Sequence, residues 1–351
     1  MFKVALAGAA MAATLWAGPA TAQTAGKVQL APGFSVDAEL LRKAQAEGKT
    51  NFWCSFPEPE CAQTVSEFEK LTKVKVDFVR LSTGGILTRM SKERAANIFS
   101  VDVISHGDPP VWNDIYKAKK WITAYEAEGM KTYPAQFKDP DGAYAAHWLI
   151  ANGIGYNTKL VSPADVPKSY ADLLKPRWKG QIVMPHPKHS GGFAEAVAIL
   201  SGMLGWDWFE KLNKNAPLVT IGSQFNVKPV VLNGERQAAI HAADAIFLVD
   251  AAQGKPVGVV YPEEGTVVNQ LFAGLVANAP QPNAGKLLLE WLHSPPMQSM
   301  LASHYWLVPH PDAVYPKDRV PLKDLKILTL PATQGASATS AKEKFSDIFG
   351  G

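Results

Sequence analysis

The chain has 351 residues, with 35 lysines and arginines against 32 aspartates and glutamates, a formal charge of +3. So small a surplus gives no electrostatic footprint for nucleic acid or an anionic membrane, and two cysteines exclude a multi-disulfide scaffold or a four-cysteine zinc module. Hydrophobic residues at 47% and charged ones at 19% are those of a globular protein, long enough for two domains.

Residues 1–22 have the parts of an export signal. Lys3 alone carries charge, an apolar stretch runs from Val4 to Trp16, Gly18-Pro19 breaks it, and Ala20-Thr21-Ala22 supplies small residues before Gln23. The stretch is shorter than the ~20 residues that span a membrane. A periplasmic protein, cleaved after Ala22, is expected. Export bears on Cys54 and Cys61, which flank a loop containing Pro57 and Pro59. In an oxidising compartment they can pair as a disulfide; otherwise they are two buried thiols.

From Lys49 strands and helices alternate. Thr50–Ser55 reads as a strand, Glu60–Thr72 as a helix with Val65, Phe68 and Leu71 at helical spacing, and Val74–Leu81 as a second strand. Gly85–Asn97 is a helix preceded by the capping pair Ser82-Thr83, and Val101–Ser105 a third strand. A long extended segment, 143–157, leads to a second block. Its parts are a strand at 181–184, a helical region 193–213 interrupted near Gly205, a strand at 218–221, a helix at 228–233 and a strand at 237–241. Two further extended segments, 257–261 and 267–277, precede helices at 284–292 and 296–304.

The expected fold class is therefore α/β, with two mixed, mostly parallel sheets joined by two extended crossings into a bilobed clamshell. Lobe I would comprise 30–145 plus 270–318, lobe II 146–269, and 319–351 a peripheral C-terminal tail.

Several segments, in order, resemble a known family. They are Val74–Arg80 followed by Ser82; Gly155–Leu160; Pro167-Lys168-Ser169-Tyr170-Ala171-Asp172-Leu173; Trp178-Lys179-Gly180; Asn233-Gly234-Glu235; Pro262–Thr266; and Asn283–Leu292 with Ser294-Pro295. Together they are similar to the periplasmic solute-binding proteins of ABC importers, in the branch that includes the ferric-ion-binding proteins. The resemblance implies the type II clamshell topology, a small-molecule solute, an inner-membrane permease as partner and a monomeric protein. Iron-binding members carry two adjacent ligating tyrosines where this chain has Ala243 and Asp244. Relatives of this type also take up phosphonates, sugar phosphates or other organic acids, so a small anionic solute is expected, with a ferric or other metal ion, or a sensor-kinase adaptor role, as alternatives.

Ligands in open α/β sheets sit beyond the carboxyl ends of the strands. The polar residues placed there are Ser55; Ser82, Thr83 and Gly84; His106 and Asp108; His186, His189, Ser190, Gly191 and Gly192; Ser223 and Gln224; and His241 and Asp244. The turns at 82–85 and 190–192 read as anion-holding helix starts, one from each lobe, or as ordinary caps. The histidines would donate hydrogen bonds to phosphate or carboxylate; with Asp108 or Asp244 they would instead coordinate a metal, although no pair has a zinc motif's spacing. No cofactor is assigned. Arg80 would pair with an anionic group or form a buried salt bridge, and Trp53, Phe56, Trp112 and Trp148 would wall an organic ligand or fill the core. No hydrolase elbow, zinc-protease or phosphate-loop motif is present, so no enzyme is expected.

Overall fold

The computed structural model describes residues 26–330 and 335–350, the latter without the side chains of 335–339. The export signal at 1–22 lies outside the described residues. A hairpin, β1 (Lys27–Ala31) and β2 (Phe34–Asp37), leads into α1 (Ala38–Glu47), capped by Asp37. The first α/β block then runs β3 (Lys49–Cys54), α2 (Glu58–Thr72), β4 (Lys75–Arg80), α3 (Thr83–Ala95), β5 (Val103–His106), a π-helical turn at Val111–Lys117, and β6 (Ile122–Thr123). α2 forms where Cys61, Val65, Phe68 and Thr72 recur at helical spacing, and that stripe is buried.

β7 (Ala145–Asn157) follows, then β8 (Ile182–Pro185), α4 (Gly191–Leu204), α5 (Trp206–Lys214), β9 (Leu218–Thr220), α6 (Val227–Leu232), β10 (Ala238–Ala243), α7 (Asp244–Ala252) and β11 (Val257–Val260). The chain returns through β12 (Thr266–Val276), α8 (Pro282–Leu292), α9 (Pro295–Ser303), β13 (Ile327–Leu328) and α10 (Gly335–Phe349). Gly205, with φ 76°, breaks α4 from α5, as its position in the sequence foretells.

β7 and β12 are almost wholly buried runs, as strands covered on both faces should be. They pair antiparallel from Ala145↔Ala273 to Asn152↔Val267. Beyond that stretch β12 pairs with β5, and β7 with β10 and β11. The strand order is β4-β3-β5-β12-β7-β10-β8-β9. The two sheets expected from sequence are thus joined by hydrogen bonds through the crossing strands into one eleven-stranded mixed sheet. A lobe flanks each side of the crossing. Parallel β4-β3-β5 form the first and parallel β10-β8-β9 the second.

The segment 319–351 was expected as a peripheral tail, but its described residues are built into the body. β13 pairs with β12, Arg319 is buried, and Phe345 on α10 enters the core of the second lobe beside Phe193, Phe209 and Trp178. The Thr/Ser/Ala-rich stretch hid this helix, because its one large buried anchor comes ten residues after its start. Cys54 and Cys61 are disulfide-bonded, tying the end of β3 to the first turn of α2. Among the described residues no helix is long and apolar enough to cross a membrane.

Candidate functional site

Each parallel strand delivers its carboxyl end to the same edge of its half-sheet, and the two edges face one cleft of about 290 Å³. The first lobe contributes Ser55 and Phe56 after β3, Arg80 at the end of β4 with Ser82, Thr83 and Gly84 beyond it, and Gly107 and Asp108 after β5. The second contributes Pro187 to Gly192 after β8 and Ser223 to Phe225 after β9, with Glu195 from α4. Ile150 of β7 with Asn269 and Leu271 of β12 make the floor, and Lys342 of α10 joins the lining.

The two predicted turns do open onto this space from opposite lobes. Ser82 Oγ accepts from the Gly85 amide at 3.1 Å and Ser190 Oγ from the Phe193 amide at 3.3 Å, so both hydroxyls cap their helices. The first-turn amides of Thr83, Gly84, Gly191 and Gly192 have no intrahelical acceptor and are the donors left for a ligand. The glycines differ in purpose. A Cβ on Gly84 or Gly191 would meet no protein atom within 4 Å, whereas one on Gly192 would lie 2.1 Å from Gln224 Oε1 and 2.7 Å from Asn269 Oδ1. Gly192 therefore lets two side-chain amides close under the turn.

Below that turn lies a buried polar cluster. Asn269 Nδ2 donates to Glu195 Oε2 at 2.7 Å, Asn152 Nδ2 donates to Asn269 Oδ1 at 2.9 Å, and His241 Nε2 faces Gln224 Oε1 at 3.2 Å. Burial pushes the Glu195 carboxyl up to about 8, more than the Asn269 bond lowers it. Asp108 is also raised by burial, opposed by the charge of Lys342 across the cleft. Among the described residues neither Arg80 nor Lys342 forms an ion pair with a carboxylate; the Arg80 Nε donates only to the Phe56 carbonyl, at 3.4 Å. The cleft thus combines helix-start amides, two cations outside any ion pair and one carboxyl, that of Glu195, held toward its neutral form. Such an arrangement can hold an anion.

Four sequence-predicted residues do not line this cleft. His106 is the last residue of a strand buried on both faces; its Nε2 lies 3.0 Å from Tyr116 Oη, its ring packs on Trp112, and burial lowers it to about 4. His186 turns toward the C-terminus, where its Nε2 meets the Gly350 carbonyl at 3.1 Å. His241 sits in a bulge of β10 with φ 58°, lies beneath Gln224 and is lowered by burial to about 3. It positions a cleft residue instead of meeting solute. Asp244 is buried against Arg319, with Oδ2 2.7 Å from Nη2, and accepts from Tyr261 Oη at 2.9 Å. Period-two alternation reveals which face a strand-end side chain takes only when one face is polar, and these strands are buried on both.

Phe56 does wall the cleft, while Trp53, Trp112 and Trp148 are buried in the core. Sequence reasoning missed Glu195, Asn269 and Lys342. Glu195 lay on an otherwise apolar helix face, which is the signal that marks it; Lys342 had none. Among the described residues no three His, Cys, Asp or Glu side chains cluster as a metal site, and no tyrosine lines the cleft.

Residues 101–327 match the family described as bacterial extracellular solute-binding protein. A putative 2-aminoethylphosphonate-binding periplasmic protein of Salmonella paratyphi A is 26% identical over 271 residues, 72% of this chain and 74% of its own. The periplasmic binding protein AfuA of Actinobacillus pleuropneumoniae, solved with fructose-6-phosphate bound, superposes with a TM-score of 0.75 at 20% identity, over 86% of this chain and 98% of its own. Iron-bound HitA of Pseudomonas aeruginosa gives 0.74 at 17% identity, over 86% and 99%. These likenesses establish the fold.

Proposed function

Because the chain belongs to the bacterial extracellular solute-binding protein family, we propose that it is the periplasmic substrate-binding component of an ABC importer. It captures a small anionic solute between its lobes and delivers it to an inner-membrane permease. A phosphonate, sugar phosphate or other organic acid suits the cleft. The observation that carries this reading is the convergence of two helix starts, Thr83-Gly84 and Gly191-Gly192, on one space flanked by Arg80 and Lys342. Both helices exceed three turns, and their amides and dipoles favour negative charge. Relatives whose names point to 2-aminoethylphosphonate and fructose-6-phosphate support the same chemistry. The reading includes export by cleavage after Ala22, a monomeric protein, no catalysis and no cofactor.

A ferric cargo is less well supported. Its hard-cation chemistry calls for phenolate or carboxylate oxygens, and the positions of the family's tyrosine pair hold Ala243 and the internally paired Asp244. The test is a thermal-shift panel on protein stripped of copurified solute, with 2-aminoethylphosphonate, fructose 6-phosphate, inorganic phosphate and ferric citrate. A ligand at about 100 times its Kd adds about 2.7 kcal/mol, a rise of several degrees. A rise with a phosphonate or phosphate ester that survives chelator supports the reading. A rise with ferric ion alone would refute it.

A further inference from the structure

The C-terminal helix lies past the end of the family match at residue 327, yet it reaches the cleft. From Ala341 onward α10 is held to the second lobe. Phe345 is fully buried, meets Phe193 edge-on at 5.6 Å and His186 at 5.5 Å, and stacks on Phe349 at 4.5 Å. Asn213 of α5 donates to the Ile348 carbonyl at 2.7 Å, His186 meets the Gly350 carbonyl, and the Lys344 ammonium lies over the Trp206 ring at 5.0 Å. Its last two turns are therefore fixed to α4, α5 and the segment after β8.

That docking sets where Lys342 points. Ala341 and Phe345, four residues apart, form the buried stripe. Lys342 stands at the stripe's edge, half-buried, and borders the cleft with Asp108 and Glu195. Its ammonium has no ion pair among the described residues. The charge of Asp108 is felt across the cleft but no ion pair is formed, so the ammonium remains available to an anion that enters the cleft.

We propose that Lys342 is a solute-contacting residue, and that α10 is a rim supplied by this chain's own C-terminal extension that adds a positive charge from the second lobe to the anionic end of the solute. This rests on the anion reading above. Arg80 supplies the matching charge from the first lobe, so closure would bring two cations to one acidic group.

The experiment is titration calorimetry on the full exported protein with 2-aminoethylphosphonate, fructose 6-phosphate and inorganic phosphate, comparing wild type with Lys342→Gln and Lys342→Arg. For whichever probe binds the wild type, Lys342→Gln should weaken binding about 10- to 100-fold, the range for a hydrogen bond to a charged group. Lys342→Arg should restore it to within about threefold of wild type. The melting temperature of the unliganded protein should not change, which separates contact from a structural role. Binding by Lys342→Gln within about twofold of wild type would overturn the assignment while leaving the anion reading intact. If none of the three probes binds wild type, the anion reading fails and this inference with it.

Discussion

Glu195 offers a test of the cleft's electrostatics that needs no ligand. It is 5% exposed, and one of its oxygens accepts from Asn269. Burial raises its carboxyl from the ordinary 4.5 to about 8. Below 4.5 the carboxyl is protonated in both the folded and unfolded chain, and above 8 it is ionised in both. Between those limits the folded protein holds a proton that the unfolded chain has released, so stability falls as pH rises through that window. The displacement is worth about 5 kcal/mol at full extent. Glu195→Gln keeps the shape and the Asn269 bond but cannot titrate. Urea unfolding at pH 5 and pH 8.5 should find the two proteins within about 1 kcal/mol of each other at pH 5. At pH 8.5 the variant should be the more stable by several kcal/mol. The other titrating groups are common to both and largely cancel, Asp108 excepted, because its charge acts on Glu195. Parallel stability curves would refute the assignment of Glu195 as a buried, neutral acid.

Three further outcomes follow from the packing. Asp244→Asn leaves Arg319 buried without its counter-charge, and should cost about 3–5 kcal/mol in urea unfolding; a loss under about 1 kcal/mol would mean the pair is solvated. Gly191→Ala should leave melting unchanged but weaken solute binding, because its Cβ enters open cleft, whereas Gly192→Ala should cost about 1–3 kcal/mol of stability through its clash with Gln224 and Asn269. Equal melting temperatures for the two alanine variants would contradict this division. Phe345→Ala empties the anchor of α10, and should raise amide exchange along 341–350 while loosening solute binding to the level of Lys342→Gln; exchange confined to its wild-type pattern would show that the helix does not depend on this ring.

How far the site was legible depends on what kind of signal placed each residue. The strand–helix alternation fixes where carboxyl ends must lie, so Ser82–Gly84 and Ser190–Gly192 can be assigned to one cleft from sequence alone. Local composition was enough for them, since small residues at a helix start both cap it and leave its first amides open to the cleft. The histidines were not legible in the same way. His106 and His241 end or interrupt strands whose two faces are both buried, and that burial decides the side chain's partner: Tyr116 in one case, Gln224 in the other. A polar residue at such a strand end is as well satisfied by an internal hydrogen bond as by solute, and burial drives the imidazole to its neutral form.

Lys342 marks the opposite limit. Nothing adjacent in sequence sets it apart from the other lysines of the C-terminal stretch; its role comes from one aromatic ring three residues later finding the core of the second lobe. The division has a physical basis. Backbone donors at helix starts are dictated by secondary structure and so can be read from local pattern. Side-chain charges in the cleft are dictated by long-range docking. A family resemblance can therefore place the anion-holding turns of a new member, while the charges that select among anions must be found in the packing of segments, such as α10, that the family pattern does not cover.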